Sequence, residues 1–361
     1  MAASTAVLAK GDFMAHSKRN NALEFYRFVF VAFIFLMHFR SYGNFSFDKN
    51  YFSAGYLGVE YFFILSGFFM MQRIENKFKT RQADFSAEKS TVSFFVSRVK
   101  RLYPLYISAL VFFLAVVKIV NHDYSLYSRI KNGLSDFVML QVFFAKEPVN
   151  LHLWFVSGLL WGSFLAYYLA LKLREKYTHI IAPLIFLGYA GYCYYKFGKI
   201  DITCISPAFL GAFFRAFSEI GFGCTLYCVC EFLKKREFGK IEKLALNVLE
   251  VVLPLAIGYV AWRGHWNMLD FVGLFLICAL ILVTALGKGF VSKLLNNKLS
   301  GVLGSVTYAM YLNQAMFIYV ATRSFDCNYW QLAACDFICL AAFSAVVTFA
   351  YNKIVSKYFN K

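Results

Sequence analysis

Ten stretches of apolar residues, most of them near twenty residues long, dominate this chain and leave few folds open to it. They fall at roughly 22–41, 55–74, 103–121, 151–171, 179–196, 207–232, 244–262, 268–287, 302–322 and 332–352. At ~1.5 Å per residue, twenty residues cover about 30 Å, the thickness of a hydrocarbon core. Backbone polar groups in hydrocarbon need partners within their own segment, so such stretches are helices. The composition agrees: 60% of residues are hydrophobic and 20% aromatic, with 43 Phe and 24 Tyr, where soluble domains are roughly half apolar. The expected fold is all-α, a polytopic membrane helical bundle of about ten transmembrane helices. A soluble alternative would need amphipathic helices, and the pattern lacks them.

Charge sets the orientation. With the N-terminus in the cytoplasm, 25 Lys and Arg fall on the inner segments and 9 on the outer ones, the bias that positive-inside topology requires. Both termini are then cytoplasmic. The chain divides into a cytoplasmic N-terminal segment, 1–21, a transmembrane domain, 22–354, and a cytoplasmic tail, 355–361. Met1–Asn21 has no apolar core ahead of its basic residues, so no leader peptide is expected. The net charge of +17 follows from topology, and no nucleic-acid partner is expected. Nine Cys show no zinc spacing; Cys224, Cys228 and Cys230 read as small buried hydrophobes, and no metal is expected.

Polar residues inside apolar spans default to function, because hydrocarbon penalises them by several kcal/mol. The first span carries Glu24, Arg27 and His38. Eleven residues at ~100° each make about three turns, so Arg27 and His38 share a face, ~16 Å apart along the axis. The second span enters from outside near Gly55 and places Glu60 ~7 Å below the outer edge, while the first carries His38 ~24 Å up from the inner one. A histidine and a carboxylate on antiparallel neighbours thus reach one depth. The pair suits general-base work, in which the carboxylate fixes the tautomer and stabilises the imidazolium. It suits equally a polar contact joining two helices. Glu24 can pair with Arg27, three residues on, either snorkelling to the interface or anchoring an anion at the mouth of a cavity.

Two further segments stand out. Arg73–Arg101 is the densest basic run and ends in Arg98-Val-Lys-Arg-Leu-Tyr-Pro104. Arg98 and Arg101 share a helix face, and guanidinium forks suit phosphate, though plain positive-inside charge explains them too. Pro104 is expected in the first turn of the third span, where its missing N–H costs little. In the longest outer segment, Phe137–Phe144 is too short to span and is expected to lie at the interface or re-enter.

These residues carry a family resemblance. Arg27 followed by ten residues and His38 resembles the Arg-x10-His signature of integral-membrane acyltransferase family 3. Gly58-Val-Glu-Tyr-Phe-Phe-Ile-Leu-Ser-Gly-Phe68 resembles its second block, Arg98-Val-Lys-Arg-Leu-Tyr-Pro104 its Arg-x-x-Arg-x-x-Pro segment, and Gly304-Ser-Val-Thr-Tyr-Ala-Met-Tyr-Leu312 its late motif. The late motif often continues to a histidine; here the chain reads Asn313-Gln314, and an amide can only hydrogen-bond.

The resemblance implies transfer of an acyl group, commonly acetyl, from cytoplasmic acetyl-CoA or another acyl-CoA to a hydroxyl of a cell-envelope glycan or lipid-linked saccharide, in the cytoplasmic membrane of a bacterium among membrane lipids. Arg98 and Arg101, with Arg27, would hold the nucleotide phosphates. His38 would act as general base or transient acyl carrier, oriented by Glu60. Tyr308, Tyr311 and Asn313 could line a channel, or, for the tyrosines, only pack. Arg215 and Glu219, four apart, would neutralise each other. Lys118 and Asp336 are expected near headgroups, and His122, His152 and His265 in or beside outer segments, as surface histidines or where an acceptor sugar could bind. The competing reading is a transporter or flippase for a lipid-linked or acylated sugar, which also wants polar groups at depth.

Overall fold

A computed structural model describes residues 20–42, 51–80, 86–144, 147–203, 210–263, 268–325 and 328–359. The N-terminal segment before residue 20, His265 and residues 360–361 lie outside them. The described residues hold fourteen helices and no strand. The long ones are α1 (Asn21–Tyr42), α2 (Leu57–Thr80), α3 (Ala87–Val120), α7 (Trp154–Leu173), α8 (Ala182–Phe197), α9 (Gly211–Lys234), α10 (Lys240–Arg263), α11 (Met268–Leu286), α13 (Lys298–Ser324) and α14 (Tyr329–Phe359). Between them lie α4 (Leu126–Asn132), α5 (Leu134–Phe137), α6 (Gln141–Phe144) and α12 (Phe290–Leu295). Each apolar stretch of the sequence overlaps one long helix. Seven of these, α1, α3, α7, α9, α10, α11 and α14, are long and apolar enough to cross a membrane. This is an integral membrane protein.

The bundle is organised around α2, which packs on α9, α1, α11 and α7. Glycines set these approaches, as small residues do wherever helices meet in lipid. A Cβ on Gly67 would collide with the Ile220 backbone of α9, and one on Gly223 with the Ile64 carbonyl of α2. The two helices thus meet backbone to backbone, and Cys224 Sγ reaches the Gly67 carbonyl at 3.5 Å. On the other side, a Cβ on Gly58 would sit 2.7 Å from the Phe30 carbonyl of α1. Between α13 and α1, Gly304 leaves room for the side chain of Glu24. By contrast α3, α10 and α14 turn most of their surface outward.

Pro104 does not open a helix. α3 runs unbroken from Ala87, capped by Ser86, which accepts the Lys89 N–H at 3.3 Å. The apolar boundary of the span is not the boundary of the helix, because the stretch before it has its own packing. Phe94 stacks on Tyr167 (4.1 Å) and Phe95 meets Trp161 (5.1 Å), both on α7.

The segment joining α3 to α7 folds back into the bundle. Tyr103 Oη donates to the Phe137 carbonyl (2.9 Å) and Tyr106 Oη to that of Asp136 (2.6 Å). From α7, Ser157 Oγ and Trp161 Nε1 both donate to the Met139 carbonyl, at 2.8 and 2.9 Å. Tyr103 stands seventeen residues before the end of α3, ~26 Å down the helix. Backbone carbonyls outside a regular helix need partners where water is excluded, and these four side chains supply them.

Candidate active site

His38 lies one turn before the end of α1. Its ring stacks on that of His152, with centroids 3.7 Å apart and planes within 7°. His152 is 5% exposed, so it is not a surface histidine. It sits in a single 3-10 turn, Leu151–Leu153, just ahead of α7. Two contacts hold that turn: Asn150 Oδ1 accepts the His152 N–H at 3.1 Å, and Tyr311 Oη of α13 donates to the His152 carbonyl at 2.5 Å. Nδ1 of His38 is buried and meets no hydrogen-bond partner among the described residues. The buried amide of Gln314, also on α13, lies beside the ring.

Glu60 does not partner His38. Gly55 abuts Phe33 and Met37 of α1, and Gly58 abuts Phe30 and Ile34, so α2 enters well below the end of α1 and Glu60 lies deeper than His38. Its carboxylate instead grips Arg215 of α9, Nε to Oε2 at 3.2 Å and Nη2 to Oε1, with both side chains fully buried. Arg215 also donates to Asp201 Oδ1 (3.1 Å) and the Ile202 carbonyl (3.0 Å), and lies over the Trp154 ring at 5.4 Å. Glu219, expected to neutralise Arg215, is a secondary neighbour at 4.0 Å. The carboxylate within electrostatic reach of His38 is Asp201.

The opposite end of the bundle is basic. Arg27 pairs with Glu24 at 2.9 Å and lies over the Phe62 ring at 5.8 Å. Arg98, half-buried over Phe94, and the exposed Arg101 fall within electrostatic reach of Arg73, and Arg101 within that of Arg27. Among the described residues no carboxylate pairs with Arg73, Arg98 or Arg101. Glu24 also acts on Arg101, but three guanidinium groups held near one another give this end a positive field that attracts anions. Tyr308 Oη donates to the Leu102 carbonyl (3.0 Å), one residue past Arg101. A run of contacts joins the two ends. Phe62 meets Phe155 (6.0 Å), Phe155 meets Tyr311 (4.9 Å), and Tyr311 holds His152. Asn313 is buried and donates to its own helix, at the Ala309 carbonyl (2.8 Å).

Sequence reasoning passed over Arg73, Asp201 and Gln314 as site residues, and placed His152 at the surface or against an acceptor sugar, not beside His38. For His152 the signal was present in Asn150-Leu-His152, a side-chain cap followed by a histidine at the mouth of an apolar span. Asp201 lies between helices with no local pattern to mark it. Asp336 does not reach headgroups; it is 8% exposed, and its Oδ2 has no hydrogen-bond partner among the described residues. His122 is exposed, and Lys118 donates to its carbonyl. No group of three or more His, Cys, Asp or Glu among the described residues could hold a metal.

The chain matches the acyltransferase domain of acyltransferase family 3 over residues 20–353. Among curated proteins it is similar to an amino-acid racemase of Enterococcus faecalis, 22% identical over 200 residues. That match covers 54% of this chain and 24% of the racemase, so the chain spans about a quarter of that relative's length. No solved structure matches it. With nearly its whole length within the family's domain, the chain belongs to acyltransferase family 3.

Proposed function

We propose that this protein is an O-acyltransferase of the bacterial cytoplasmic membrane. It moves an acyl group, acetyl first among the candidates, from cytoplasmic acyl-CoA to a hydroxyl of a cell-surface or lipid-linked carbohydrate. The observation that carries this reading is a cluster of guanidinium groups at one end of the bundle, none of Arg73, Arg98 and Arg101 paired with a carboxylate among the described residues, together with the stacked His38 towards the other. In the proposed topology α2, α8 and α13 complete ten spans, residues 22–354 form one transmembrane domain, and both termini and the basic end face the cytoplasm.

Arg73, Arg98 and Arg101 then bind the nucleotide phosphates. Arg27, already held by Glu24, adds less charge and lines the way inward. The thioester arm lies along Phe62, Phe155 and Tyr311, with Tyr308 at its mouth and Asn313 beside its inner end. His38 Nε2 takes the proton of the acceptor hydroxyl as its oxygen attacks the thioester carbonyl. The tetrahedral intermediate collapses, the carbon–sulfur bond breaks, and the coenzyme A thiolate leaves with the proton from His38. Glu60 supports this from a distance, by fixing Arg215 and through it Asp201.

The test is purified protein in lipid with labelled acetyl-CoA, together with mass spectrometry and NMR of envelope glycans with and without the gene. His38→Ala should lower transfer by at least ~10²-fold, the usual worth of a general base. Arg98→Ala with Arg101→Ala should raise KM for acetyl-CoA and leave kcat nearly unchanged. Protein that neither binds nor cleaves acetyl-CoA would favour a transporter or flippase for a lipid-linked or acylated sugar instead.

A further inference from the structure

We propose that His152 is a positioning residue for His38, acting through the face of its ring. The inference rests on the acyltransferase reading above, and begins from what His38 lacks. Its Nδ1 is buried without a hydrogen-bond partner among the described residues, and Glu60 is committed to Arg215. Among the described residues no carboxylate bonded to the ring fixes its plane, as one would in a hydrogen-bonded base.

What lies against the ring is His152, parallel within 7° at 3.7 Å. Ring nitrogens carry their lone pairs and hydrogens in the ring plane. Two rings stacked face to face therefore have no path for a proton from one to the other. His152 acts on His38 through its π face. That face blocks one side of the His38 ring and fixes its plane. When His38 takes the acceptor proton, the new imidazolium lies on an aromatic face, an attraction of the cation–π kind.

The support for His152 is built for this. Asn150 and Tyr311 clamp its backbone on both sides, at 3.1 and 2.5 Å. Asn150 is held in turn, its N–H donating to Asp136 Oδ2 at 3.2 Å. The re-entrant segment thus sets the turn, the turn sets the His152 ring, and that ring sets His38.

Substitutions that keep or remove the aromatic face test this. His152→Ala and His152→Gln lose it, and each should lower kcat roughly tenfold to thirtyfold, the rate equivalent of a desolvated cation–π contact. KM for acetyl-CoA, set at the basic end, should not move. His152→Phe keeps a face and cannot titrate, and it should recover the rate to within roughly threefold. A Phe variant as impaired as the Ala and Gln variants, or a Gln variant at full rate, overturns the proposal. Imidazole-labelled NMR reads the stack without turnover: the ring protons of His38 should lie upfield in wild type and His152→Phe and return in His152→Gln. Unshifted His38 protons in wild type also overturn it. Wild-type protein with the upfield shift but no transfer would remove the acyltransferase reading and leave the stack standing.

Discussion

Breaking the buried contact between Glu60 and Arg215 should destabilise the protein in a way that identifies which residue Glu60 serves. Both side chains are fully buried, and removing one partner of such a pair costs about 3–5 kcal/mol. The two ends of the contact are not equivalent. Glu60→Gln leaves the guanidinium with Asp201 at 3.1 Å and the Ile202 carbonyl at 3.0 Å, so its cost should fall below that range, at roughly 2 kcal/mol. Arg215→Met leaves Glu60, Asp201 and Glu219 facing one another without a cation, and should reach the upper end, about 5 kcal/mol. The double variant should cost less than the two singles together by about 2 kcal/mol, because directly bonded residues couple. Unfolding in mixed detergent and SDS micelles, followed by tryptophan fluorescence, measures all four proteins. Additivity within about 0.5 kcal/mol would refute the pairing. A Glu60→Gln protein as stable as wild type but ~10²-fold slower would return Glu60 to direct work on His38.

The glycine contact between α2 and α9 gives a second prediction. Gly67→Ala should cost about 1–3 kcal/mol in the same assay, since the new methyl meets the Ile220 backbone, while Gly258→Ala, with open space around it, should not destabilise. A third concerns Asp136, whose carboxyl burial pushes up to about 6, opposed in part by the Asn150 N–H. A raised acid favours the folded state while protonated, so its stabilisation is complete below the ordinary value near 3.8 and is lost as pH rises through about 6. Wild type should lose stability between pH 4 and pH 7, by up to about 3 kcal/mol, and Asp136→Asn should flatten that slope.

Periodicity and span length made the helices legible, because hydrocarbon allows one solution to a twenty-residue apolar run. The shared face of Arg27 and His38 was legible too, since it depends only on helix geometry. Depth across two helices was not. Levelling Glu60 with His38 assumed that both spans start at the membrane edge, whereas α2 begins level with Phe30–Met37. Nor could Arg215 be matched to its carboxylate. Glu219 lies four residues away and Glu60 lies 155 away, and only the close approach at Gly67 and Gly223 decides between them. Gly304 likewise looked like a motif letter until Glu24 was seen to need its space.

The hairpin between α3 and α7 bears on how the chain is made. Tyr103 and Tyr106 precede it, but Ser157 and Trp161, which satisfy Met139, are synthesised after it. Until α7 is in place, the Met139 carbonyl lacks these two donors. The segment therefore completes its hydrogen bonds only once α7 is in place, so the turn that carries His152 is among the last parts of the candidate site to take shape.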